Sequence, residues 1–187
     1  MNRETAITAI MDTVSDDDII IATTGLISRE VFERFDSVRN FYNPGAMGLV
    51  SSIGLGIALS TNRRVIVIDG DSSLLMNLGT LVTIGYQQPG NLLHIVINNE
   101  SFGSCSEERS MSGSVSLSGL AAQANYASSL TVFDEISLKN AILETVGKLG
   151  FVDAKIELGG RRDFKRPLDL VELKHRFMHQ LKGEASS

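Results

Sequence analysis

Short unbroken apolar runs alternate along the chain with longer stretches in which apolar residues recur every three or four positions. Ile19-Ile20-Ile21-Ala22, Val65-Ile66-Val67-Ile68 and Leu92 to Ile97 contain few or no polar residues, the pattern of parallel strands buried on both faces. Between them the period is helical. Residues 3–14 place Ile7, Ile10, Met11 and Val14 on one stripe, and Ser28 is positioned to cap a helix that carries Val31, Phe32 and Phe35. Residues 46–59 and 74–86 read as two more helices, the second stopped by Gln87-Gln88-Pro89-Gly90. Residues 100–116 are polar and rich in Ser and Gly, which predicts a mobile loop. Helices follow at 117–124, 137–149 and 169–182, and strands at 130–133 and 151–158. Strands alternating with helices predict an α/β fold, a parallel sheet with helices on both faces. No repeat and no linker divides the chain, so residues 1–187 are expected to form a single domain, with 183–187 a frayed, disordered tail.

Composition narrows the possible roles. Hydrophobic residues make up 43% of the chain and charged residues 21%, with three prolines, as in a globular protein and unlike a disordered one. The net charge is -5 and there is no basic run, which argues against a nucleic-acid or membrane surface. The longest apolar stretches fall well short of the roughly 20 residues that cross a bilayer. A single cysteine, Cys105, permits no internal disulfide. With no apolar signal core at the N-terminus, a cytoplasmic location is expected.

In an open parallel sheet, ligands sit beyond the carboxyl ends of the strands. Thr23-Thr24-Gly25 follows the first strand, Gly70-Asp71-Ser72-Ser73 the second and Asn98-Asn99 the third. A carboxylate at a strand end can hold a divalent cation, and the helix N-terminus behind it can hold phosphate oxygens. Asp71, the neutral oxygen of an asparagine, a backbone carbonyl and phosphate oxygens together form an all-oxygen octahedral set, which magnesium prefers. Either motif alone is an ordinary turn or cap; the pair at this spacing is the unusual feature. Other chemistry-bearing residues read as structural. His94 lies within a strand as a core histidine, and His175 and His179 form an i, i+4 pair on a surface face with no third ligand. Cys105 has no histidine partner, and Glu107, Glu108 and Arg109 are solvated loop charges. No Gly-x-Gly-x-x-Gly joins a first strand to a helix, which places dinucleotide binding low.

The stretch GDSSLLMNLGTLVTIGYQQPGNLLHIVINN resembles the thiamine-diphosphate signature, which opens with Gly-Asp-Gly and closes with Asn-Asn. Residues 40–59 look like the segment that holds the aminopyrimidine in that family. Residues 23–33 (TTGLISREVFE) are similar to the first strand-end loop of phosphonopyruvate decarboxylases, and residues 174–182 (KHRFMHQLK) to the end of the sulfopyruvate decarboxylase beta subunit. The resemblance implies thiamine diphosphate and Mg2+ as cofactors, with Asp71, Asn99 and the Ser101 carbonyl as metal ligands. Thr24, Gly25, Gly70, Ser72 and Ser73 would lie against the diphosphate end, Asn99, Ser101 and Phe102 beside it, and Gly45, Ala46 and Met47 against the rings, Met47 as the apolar wedge. The implied reaction is decarboxylation of an anionic three-carbon 2-oxoacid, phosphonopyruvate or sulfopyruvate. Other split thiamine-diphosphate enzymes, such as an acetolactate-synthase-like carboligase, and a non-catalytic assembly subunit are the alternatives.

The sequence departs from the family twice. The third signature position, usually glycine, is Ser72, and the loop 103–113 carries Arg109 as its only cation where a dianionic substrate would call for more. The activating glutamate of such enzymes lies on a separate pyrimidine-binding domain. That domain is therefore expected on a partner alpha subunit, in a hetero-oligomer with at least two copies of each chain, and no catalytic side chain is assigned to this one.

Overall fold

The computed structural model describes residues 1–182; the tail expected at 183–187 lies outside them. Among the described residues the strands are β1 (Ile19–Ala22), β2 (Asn40–Tyr42), β3 (Val65–Gly70), β4 (Leu92–Asn98), β5 (Ser128–Val132) and β6 (Gly150–Lys155). They form one sheet in the order β2-β1-β3-β4-β6-β5, and every pairing is parallel. The helices are α1 (Arg3–Thr13), α2 (Leu26–Phe35), α3 (Val50–Ala58), α4 (Asp71–Leu75), α5 (Gly79–Gln87), α6 (Leu117–Gln123), α7 (Glu135–Glu144) and α8 (Leu170–Lys182).

The continuous apolar runs are buried on both faces because strand side chains alternate. Ile20, Ile66, Ile68, Leu93 and Ile95 face α1, α2 and α7 through Ile7, Ile10, Val31, Leu138 and Ile142. Ile19, Ile21, Val65, Val67, Leu92 and Val96 face the other way, onto Val50, Leu55, Leu81, Ile84 and Leu117. At Gly54 in α3, an added methyl would overlap Val67 Cγ2, so glycine is what lets this helix lie close on β3.

Several boundaries differ from the sequence reading. Ser28 does not cap α2: the helix starts at Leu26 behind Gly25, whose φ of 88° needs no side-chain cap to turn the chain. Ser28 is buried inside the first turn. The helix expected from 46 begins only at Val50. The helix expected over 74–86 is two, α4 and α5, parted at Met76–Leu78. The edge strand β2, three residues long, is too short to show a period. His94 is fully buried, and its Nε2 lies 3.2 Å from Asp69 Oδ2. His175 and His179 are exposed, as expected, and so is Cys105.

Candidate cofactor site

Strand order reverses about β1 and β3, and the loops that leave their carboxyl ends diverge there to opposite faces of the sheet. Asp71 is the first residue of α4, immediately beyond β3. Its side chain is 2% exposed, and no Lys, Arg or His among the described residues pairs with it. Burial pushes its pKa up, against hydrogen bonds from Ser110 and Ser112 that pull it down. Ser112 Oγ donates to Asp71 Oδ2 at 2.7 Å, and Ser110 Oγ donates to the same oxygen. Both serines belong to the 100–116 segment, read from sequence as a loop, which here carries ordered contacts. A bridge between Ser101 and Arg109 closes the segment, and a 3-10 turn at Met111–Ser114 brings Ser112 into the core.

The two asparagines separate into different roles. Asn98 is fully buried and structural: Nδ2 donates to Asp153 Oδ1 at 2.9 Å, and Oδ1 accepts from the Glu100 N–H at 3.1 Å, with Ser112 Oγ also 3.1 Å away. Asn99 lines a cavity of about 80 Å³, together with Asp71 and Ser101, and its Oδ1 accepts from the Ser101 N–H at 3.1 Å. Thr24, Met47, Gly70, Ser72, Ser73 and Phe102 line the same slot. Nine of the twelve residues expected to hold a cofactor therefore converge, counting these six with Asp71, Asn99 and Ser101. Gly25 and Gly45 line an adjoining cavity, which Thr24 shares. Ala46 lines neither; Asn43 clamps it, Nδ2 donating to the Ala46 carbonyl at 2.7 Å.

Ser72 causes no backbone strain. It sits within α4, outside the positive-φ residues, so the position tolerates a side chain. Its Oγ donates to the Ser101 carbonyl at 3.1 Å. Ser73 Oγ lies 3.1 Å from Thr23 Oγ1 and accepts from the Gly48 N–H at 3.1 Å, linking the β1, α3 and β3 loops around the slot.

The donor set fits a hard cation with a diphosphate. It offers a carboxylate, an amide oxygen and a carbonyl, and the buried carboxylate lacks a counter-charge that such a cation would provide. Ser101 Oγ is buried and has no hydrogen-bond partner among the described residues, leaving a donor free for a ligand oxygen. A methyl built on Gly45 meets nothing within 4 Å, so the backbone there faces open space. Two residues of the neighbourhood were not legible in sequence. Asp153, buried on β6, has a pKa raised by burial and by the charges of Asp71 and Glu100. Arg3 of α1 reaches the slot wall from the far end of the chain, its charge held by Glu30 at 2.7 Å. Neither lies near a motif.

The fold and this slot define an α/β domain that gathers polar groups at its strand ends, a set suited to a diphosphate and a hard cation. Residues 24–148 match the family model described as "Thiamine pyrophosphate enzyme, C-terminal TPP binding domain"; the chain belongs to that family. It is 38% identical over 178 residues to the "Sulfopyruvate decarboxylase subunit beta" of Methanocaldococcus jannaschii, covering 92% of this chain and 93% of that one. It is 39% identical over 137 residues to the "Phosphonopyruvate decarboxylase" of Streptomyces viridochromogenes, covering 72% of this chain and 34% of that one. Among solved structures, benzoylformate decarboxylase from Polynucleobacter necessarius shares the fold with a TM-score of 0.67 at 18% identity, over 86% of this chain and 34% of that one. The chain thus spans about a third of the latter two and nearly the whole of the beta subunit.

Proposed function

We propose that this chain is the beta subunit of a thiamine-diphosphate-dependent decarboxylase acting on an anionic three-carbon 2-oxoacid, sulfopyruvate or phosphonopyruvate, to give the aldehyde and CO2. The observation that carries the reading is the end-to-end match to a relative named as such a subunit, on a chain whose strand ends gather Asp71, Asn99 and Ser101 in one slot. In this reading Asp71 and Asn99 give side-chain oxygens, and Ser101 its carbonyl, to Mg2+. Thr24, Gly25, Ser72 and Ser73 lie against the diphosphate. When bound, thiamine diphosphate supplies the electron sink for the electrons left as CO2 departs. The residues of this chain anchor the charged end, exclude water from it and present the Met47 side chain as an apolar face.

A slot of about 80 Å³ is far below the roughly 300–1,000 Å³ of ordinary ligand pockets, so this chain encloses one end of the cofactor only. The remainder would be covered by an alpha subunit carrying the pyrimidine-binding domain and its activating glutamate, with at least two copies of each chain. Leu49, Leu59, Met76, Val82 and Tyr86, on and beside α3–α5, are 46%, 57%, 62%, 66% and 84% exposed; apolar surface on that scale suits an obligate interface. No helix among the described residues is long and apolar enough to cross a membrane, which agrees with the proposed cytoplasmic location. The test is to assay CO2 release from sulfopyruvate and phosphonopyruvate with thiamine diphosphate and Mg2+. Activity is expected on mixing with the alpha subunit and not from this chain alone. Turnover by the isolated chain would overturn the split-site reading, and inactivity of the assembled pair on both substrates would overturn the substrate assignment.

A further inference from the structure

A cavity of about 440 Å³ adjoins the cofactor slot and shares Thr24 with it. Gly25 and Gly45 form part of its wall, and two arginines from distant parts of the sequence line it, Arg29 of α2 and Arg166 of the extended segment 159–169. Neither has a carboxylate or other hydrogen-bond partner among the described residues, whereas Arg3, Arg34, Arg39, Arg64, Arg161 and Arg176 all do. A third arginine, Arg162, is held by Glu107 and adds to the local positive field. Like charges separate in water unless the fold holds them together. Here the segment is pinned twice just before Arg166: Arg3 donates to the Arg161 carbonyl, and the Lys165 N–H donates to Glu33 Oε2 at 2.7 Å. The arginines crowd closely enough to lower the pKa of Arg29, whose largest cause is burial, followed by repulsion from Arg166 and Arg162.

We propose that Arg29 and Arg166 grip the second anionic group of the substrate, the sulfonate or phosphonate on C3 of the 2-oxoacid. The inference rests on the decarboxylase reading and supplies what that reading lacked, since the loop 103–113 has Arg109 as its only cation alongside two glutamates. The distal anion of a three-carbon acid lies two bonds from its ketone carbon. Its site must therefore adjoin the cofactor slot without coinciding with it, the relation that Thr24 gives the two cavities. A guanidinium offers two parallel N–H donors that match two oxygens of a tetrahedral oxyanion. An anion placed between the two arginines also relieves their mutual repulsion, so charge complementarity is concentrated on this one group.

The test uses the chain assembled with its alpha subunit, as wild type, Arg29→Gln, Arg166→Gln, the double variant, and Arg29→Lys as the charge-keeping control. Calorimetric titration without cofactor employs sulfoacetate and phosphonoacetate as probes and acetate as the blank. Removal of each arginine is expected to weaken the dianionic probes by about 10-fold, with Arg29→Lys retaining part of the affinity. The tighter of the two probes identifies the group as sulfonate or phosphonate. In turnover, kcat/KM for sulfopyruvate relative to pyruvate is expected to fall at least as far. Unchanged probe affinity in the double variant would overturn the proposal. So would loss of subunit assembly with probe binding intact, which would assign the arginines to the partner's surface. Arginine-dependent probe binding in a pair that decarboxylates no 2-oxoacid would sustain the anion site and sink the decarboxylase reading instead.

Discussion

Asp71→Asn separates the role of the site from that of the fold, because asparagine keeps the shape of the side chain and an oxygen to accept from Ser110 and Ser112. The carboxylate is 2% exposed with its pKa raised by burial. A carboxylate whose folded pKa is raised binds its proton more tightly in the native state, so its charged form opposes folding above that pKa and stability recovers on acidification. At neutral pH the cofactor-free variant should therefore melt no lower than wild type. Ligand binding should reverse the order. At thiamine diphosphate and Mg2+ concentrations 100-fold above the dissociation constant, linkage stabilises the native state by about 2.7 kcal/mol. For a domain of this size, a stabilisation of that order raises the melting temperature by about 5–11 °C. Loss of the charged ligand should weaken metal-dependent binding by more than about 100-fold, since even changes behind the metal ligands typically cost 10- to 100-fold. The shift in the variant then falls below about 2 °C. Differential scanning fluorimetry of the assembled pair, with and without cofactor, reads both numbers. A cofactor-induced shift in Asp71→Asn equal to that of wild type would refute the assignment, whatever the activity did.

Met47→Ala should leave cofactor affinity within about 3-fold yet lower kcat by about 10-fold, because an apolar face is lost while the diphosphate anchors remain; normal turnover at full occupancy would count against the wedge. Gly85→Ala should destabilise the chain by about 1–3 kcal/mol, since a methyl there would collide with the Ala124 carbonyl, which is backbone and cannot rotate away; chemical denaturation measures it, and an unchanged midpoint contradicts that packing. Arg176 holds Asp36 through two hydrogen bonds, at 2.6 and 2.9 Å. Burial pulls the Asp36 pKa up, and the bonds from Arg176 and Tyr42 more than reverse it, so the net shift is downward. The contribution is then present above the ordinary carboxylate pKa of about 4 and fades as pH falls through the depressed value. Pepsin cleavage within α8 should be faster in Arg176→Ala than in wild type at pH 4.5, with the difference closing toward pH 3; a difference independent of pH would show that the pair does not anchor the helix.

The sheet was legible because its strands are uniformly apolar, and burial on both faces leaves few alternatives for runs such as Ile19-Ile20-Ile21-Ala22. The site was legible where chemistry follows a strand end, as at Asp71 and Asn99. What escaped the sequence was contact between remote segments. Nothing local to Ser110 and Ser112 shows that their hydroxyls reach the Asp71 carboxylate, so a Ser- and Gly-rich stretch read as a mobile loop. Nothing local to Arg29 or Arg166 shows that 137 positions of chain return to bring them to one cavity. The cap misplaced at Ser28 has a simpler cause: a glycine at positive φ starts a helix without any side-chain signature.

Glu30, Glu33 and Asp36 follow one another at intervals of three residues along α2 and at its end. Each holds a different part of the chain: Arg3, the Lys165 amide and Arg176. At about 1.5 Å of rise per residue the three anchors span about 9 Å. They tie three separate stretches to one helix: Glu30 takes α1, Glu33 the segment 159–169 and Asp36 α8. The same helix is capped by Gly25, which lines the larger cavity next to Thr24, the residue both cavities share. One helix thus carries Arg29 on its own first turns and, through Glu33, fixes the stretch of chain that carries Arg166, so the spacing of the two cations is set by α2 and not by the length of chain between them.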